Sequence, residues 1–64
     1  MTIISIRMND DGVVYYAAVL DDGQSFKSSV RPGQNLDGLH SDVSSYCTAN
    51  WTDDHINNFM ETGQ

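Results

Sequence analysis

Between positions 2 and 8 apolar and polar residues alternate, with Ile4, Ile6 and Met8 in step and Ser5 and Arg7 between them. Alternation with period two is the pattern of a strand that buries one face. Residues 13–20 are β-branched, aromatic or small and apolar, and residues 24–30 alternate again around Phe26, so two more strands are expected. After position 38 the period changes. Leu39, Val43, Tyr46, Cys47 and Trp51 fall at i, i+4, i+7, i+8 and i+12, one face of a helix over about 42–50. Ser41 is its expected N-cap, with Asp42 in the first turn. Thr52 is the expected cap of a second helix over about 53–62, where Asp53 and Asp54 meet the positive helix end. Trp51 and Ile56 have the spacing of a hydrophobic staple, Ile56, Phe59 and Met60 continue the apolar stripe, and Gly63 suits a stop. Residues 31–38 join the halves, with room for a short helical segment around Leu36. The expected fold is α+β, one domain over 1–64: a three-stranded antiparallel β-meander, then two short α-helices packed on one sheet face.

The strands are punctuated twice by the same tripeptide, in Asn9-Asp10-Asp11-Gly12 and Leu20-Asp21-Asp22-Gly23. Each fits a type I turn closed by a left-handed Gly, the three-residue hairpin with a Gly bulge. That turn sets Met8 opposite Val14, Ile6 opposite Tyr16 and Ile4 opposite Ala18. In the second hairpin it sets Ala18 opposite Phe26 and Val14 opposite Val30. Ile4, Ile6, Met8, Val14, Tyr16, Ala18, Leu20, Phe26 and Val30 then share one face. A two-residue second turn would send Phe26 to the other face, since a one-residue slip inverts every side chain. The two acidic pairs therefore read as turns at opposite ends of the middle strand, roughly 25 Å apart. At that distance they cannot share a metal ion or act as one acid/base pair.

Charge sharpens the picture. Three basic residues face nine acidic ones, for a formal net charge of −6, and eight of the nine are Asp. No Lys or Arg follows Arg31. Direct binding to nucleic acid or to an anionic membrane surface is disfavoured, because both run on clustered Lys and Arg. No stretch approaches the ~20 apolar residues of a membrane span. The first residues lack the basic start and apolar core of a signal peptide, and there is a single cysteine; a reducing host cytoplasm is the expected compartment.

Cys47, His40 and His55 invite a nucleophile or zinc reading. Cys47, however, lies within the apolar stripe, where free cysteine behaves as a small hydrophobe, and the spacing of the three fits no zinc motif. His55 is expected at the third position of its helix, on the surface. There is no Gly-rich phosphate loop and no nucleophile–base–orienter set. A non-enzymatic protein without metal or cofactor is expected.

Two surfaces remain as candidates. One is acidic: Asp10, Asp11, Asp21, Asp22, Asp37, Asp42, Asp53 and Asp54 hold short, stiff carboxylates in turns and helix starts. Such a surface suits a basic groove that ordinarily takes phosphates, and charge complementarity would speed the encounter and make it salt-sensitive. The other is the second sheet face, with Ile3, Ser5, Arg7, Val13, Tyr15, Ala17, Val19, Lys27 and Ser29. Arg7 lies opposite Tyr15 and Ala17 opposite Lys27. Its apolar line of Val13, Tyr15, Ala17 and Val19 could serve a partner or a second copy, so both monomer and homodimer stay open. On that alternative the chain is a small structural or assembly module.

The short meander with Asp-Asp-Gly turns and the ending Trp51-Thr52-Asp53-Asp54-His55-Ile56 give the chain the style of small acidic phage and mobile-element proteins. Among these it resembles anti-CRISPR proteins. The resemblance implies a stoichiometric inhibitor of a nucleic-acid-handling complex, a CRISPR-Cas effector above all, acting by occupying a basic site or a docking surface. Anti-CRISPR proteins share no common signature, so the resemblance carries no individual residue role.

Overall fold

A computed structural model describes residues 1–62. Strands β1 (Thr2–Met8), β2 (Val14–Val19) and β3 (Ser25–Val30) precede helices α1 (Ser41–Asn50) and α2 (Asp53–Thr62). The strands form one antiparallel sheet in the order β1-β2-β3. The α+β meander is as expected. β2 and β3 each start one residue later than expected, β2 also ends one earlier, and α1 starts one residue earlier.

Both hairpins close as expected. Gly12 N donates to Asn9 O at 3.1 Å and Asn9 N to Val13 O at 3.0 Å. Gly23 N donates to Leu20 O at 2.9 Å and Leu20 N to Gln24 O at 2.7 Å. Gly12 and Gly23 take φ of 85° and 89°, the left-handed region that the bulge requires. The pairs Met8–Val14, Ile6–Tyr16, Ala18–Phe26 and Val14–Val30 all form.

One register expectation fails. Ala18 lies opposite Ile3, not Ile4, because a bulge falls between Ile3 and Ser5. A bulge adds one residue to one strand and exchanges the faces beyond it. Ile3 consequently packs against the core, while Ile4 is 60% exposed. Leu20, also expected on the inner face, is 37% exposed where the strand gives way to its turn.

The core is Val14, Val30, Val43 and Cys47, with Ile6, Met8, Tyr16, Leu36, Leu39, Tyr46 and Trp51 partly buried around it. Each fully buried valine contributes about 1.5–3 kcal/mol of transfer free energy. Tyr16 and Phe26 meet edge to face, with centroids 6.2 Å apart. Val43 and Cys47, four apart on α1, bring that helix onto the sheet. The N-cap of α1 is His40 rather than Ser41. The His40 carbonyl accepts from Val43 N and Ser44 N, and its Nδ1 accepts from Asp42 N at 3.2 Å, so Ser41 already lies inside the first turn. The connecting loop holds two successive turns in place of a helical segment around Leu36. Gly63 and the side chain of Phe59, given roles in ending and lining α2, lie outside the described residues.

Candidate interaction surfaces

α2 is placed by its first turn. Thr52 Oγ1 accepts from His55 N at 3.1 Å, and His55 Nδ1 accepts from Thr52 N at 3.4 Å. This is a reciprocal cap with His where Glu or Gln is usual. The residue before it, Trp51, ends α1 by donating its backbone N–H to Cys47 O at 3.0 Å. Its indole Nε1 donates to Gly12 O at 2.6 Å, across 39 residues of sequence. His55 and Pro32 press on the same glycine so closely that an added Cβ would meet His55 Cγ at 2.9 Å and Pro32 Cγ at 3.0 Å. The β1–β2 turn and the start of α2 are thereby locked together.

That junction decides which carboxylates share a surface. All eight aspartates are exposed. Asp10 and Asp11 belong to the turn that Trp51 and His55 grip, and Asp53 and Asp54 to the helix turn that grips it. These four flank one junction, at the β1–β2 end of the middle strand. Asp21 and Asp22 lie in the turn at the far end of β2, Asp37 in the connecting loop and Asp42 in the first turn of α1. The eight candidates thus divide, and four of them come together. Among the described residues Asp21 has the closest charged partner: the amino terminus donates to its Oδ1 at 2.8 Å. That hydrogen bond and the ammonium charge hold its carboxyl below its ordinary value.

The candidates for chemistry each hold a structural post. Cys47 is wholly buried, and desolvation pushes its thiol above its ordinary value, away from a reactive thiolate. His40 caps α1. His55 is half-buried in the cap of α2 and against Gly12, a role the sequence reading missed by leaving it on the surface; Thr-x-x-His at a helix start was the available signal. Among the described residues no three His, Cys, Asp or Glu side chains gather where they could hold a metal ion.

The open sheet face has a different character. The Arg7 guanidinium lies over the Tyr15 ring, 5.1 Å from its centroid. Ala17 and Ser5, both small, leave a depression of about 200 Å³ between Arg7 and Tyr15 on one side and Lys27 on the other. Neither Arg7 nor Lys27 forms an ion pair with a described residue, although the chain carries nine acids. The apolar line expected here is shorter than predicted. Val13 is 8% exposed, and its N–H is held by Asn9 Oδ1 at 2.9 Å and its carbonyl by Asn9 N within the turn. Tyr15, at 38%, remains exposed.

No family model, curated protein or solved structure matches this chain. No helix among the described residues is long and apolar enough to cross a membrane.

Proposed function

We propose that this chain is a non-enzymatic inhibitor that seats its acidic end in a basic groove of a nucleic-acid-handling complex, where phosphates would otherwise lie. The observation that supports the reading is the grip of Trp51 and His55 on Gly12, which carries Asp53 and Asp54 to the same end as Asp10 and Asp11. Short side chains on a closed turn and a capped helix hold their charge in fixed places. Little ordering entropy is then lost when a partner binds, which favours affinity. Asp21, Asp22, Asp37 and Asp42 extend the negative field that steers the encounter, without sharing that end. The resemblance to anti-CRISPR proteins names a CRISPR-Cas effector as the partner to try first.

The test is a tagged pull-down from host lysate at about 100 and about 500 mM salt, in the range where exposed charge pairs become screened. The expected result is a nucleic-acid-binding complex captured at low salt, released at high salt and displaced by a short DNA duplex. An Asp10→Lys/Asp53→Lys/Asp54→Lys variant should keep the native spectrum and lose that capture. If the variant folds and still captures the same proteins, the acidic end is not the contact and the reading fails.

A further inference from the structure

The two strand cations stand out against the charge of the chain. Arg7 and Lys27 are on β1 and β3, diagonal to each other across Ala17. They line one depression, no acidic residue lies among its lining residues, and neither cation is neutralised by a described residue. With Ser5 they line that space with side chains that carry hydrogen-bond donors, and charge-assisted bonds are the strong ones. The planar groups beside that space are the exposed Tyr15 ring and the guanidinium stacked on it. A guanidinium stacks on flat rings while its edge donors remain free for an anion.

We infer that this depression is a binding site for a single phosphate monoester carrying a flat ring, a mononucleotide-class ligand. The phosphate lies between Arg7 and Lys27, and the ring lies against the Tyr15–Arg7 stack. Size favours a compact ligand: about 200 Å³ falls below the range of about 300–1,000 Å³ usual for drug-sized molecules. Electrostatics disfavour a polymer laid along the strands. The middle strand ends in Asp10 and Asp11 at one side and Asp21 and Asp22 at the other. A polynucleotide laid along the strands would carry its next phosphates into one of these pairs, whereas a single phosphate in the middle of the face meets neither. The inference does not rest on the acidic end and uses none of its residues.

The experiment is an NMR titration of the purified, isotope-labelled chain at about 50 mM salt with adenosine monophosphate, adenosine, inorganic phosphate and an eight-residue oligothymidylate. Saturable shifts at Arg7, Tyr15, Ala17 and Lys27 are expected with the monophosphate, at a Kd on the order of 1 mM or tighter. Adenosine and inorganic phosphate should each bind about tenfold more weakly, and the oligomer no better than the monophosphate. Arg7→Gln and Lys27→Gln should each weaken the monophosphate about tenfold while leaving the spectrum dispersed. The inference is overturned if no saturable shifts appear by about 10 mM, if adenosine matches its monophosphate, if the oligomer binds more tightly, or if the two Gln variants bind like the parent.

Discussion

The two Asp-Asp-Gly turns make a controlled pair. Their hydrogen bonds match within a few tenths of an ångström and their glycines have nearly the same φ. Their surroundings have nothing in common. Nothing lies within 4 Å of a Cβ added at Gly23, whereas Gly12 is buried beneath His55 and Pro32 and its carbonyl holds the Trp51 indole. Their first residues differ as well. Asn9 Oδ1 accepts from Asp11 N at 3.1 Å and Val13 N at 2.9 Å, bonds that Leu20 has no side-chain oxygen to make. The second turn compensates in part, with Asp22 Oδ1 accepting from Gln24 N at 3.0 Å. The same Asp-Asp-Gly tripeptide therefore yields one turn that only reverses the chain and another on which the helical half is seated.

The largest break in this comparison should come from the glycines. Gly23→Ala pays only for a side chain in the left-handed region, about 1 kcal/mol. Gly12→Ala meets the same strain and also drives its Cβ into His55 and Pro32, for a total of about 3 kcal/mol or more. Urea unfolding of the two variants should show that difference in midpoint. Equal losses would mean that the packing around Gly12 adds nothing to the turn itself.

A smaller effect should follow Trp51→Phe, which keeps a ring in place and removes the donor to Gly12 O. Leaving that part-buried carbonyl unpaired costs about 1–3 kcal/mol. The loss should be much reduced when the variant is made in a Gly12→Ala background, because both changes strike one junction and coupled sites are not additive. Fully additive losses would show that the indole bond and the glycine packing act separately.

The smallest effect belongs to the far turn. Asp21 is held below its ordinary carboxyl value by the ammonium of Met1, so the stabilisation from that pair is fully present above about pH 4. It is lost as pH falls through the lowered value of the folded state. Asp21→Asn should remove a small acid-side dependence of stability and leave the neutral-pH midpoint nearly unchanged, as for other exposed pairs. A midpoint shift at pH 7 as large as that of Trp51→Phe would make the far turn as structural as the near one.

Much of this molecule is legible residue by residue. Alternation gives the strands, Asp-Asp-Gly gives both turns, and turn length sets the register from Met8–Val14 inward, because each of these depends on neighbours a few positions away. The helical stripe likewise foretells the burial of Val43 and Cys47. The departures begin where a local pattern has two solutions. Ile3 and Ile4 are adjacent, equally apolar and equally β-branched, and only the fit of the sheet to its core chose Ile3 and expelled Ile4 through a bulge. His40 and Ser41 can both cap a helix, and the backbone entering from the loop selected His40.

The candidate surfaces divide along the same line. Sequence by itself determined that the aspartates would stand exposed in turns and helix starts, and that Arg7, Tyr15 and Lys27 would share a sheet face, since strand alternation and capping are short-range effects. Tertiary structure alone decided which aspartates became neighbours. The indole of Trp51 reaches the carbonyl of Gly12 across 39 residues, and no local periodicity encodes a contact at that separation. It forms because a buried carbonyl must find a donor, and the helix end carrying the indole is the group that packing brings there.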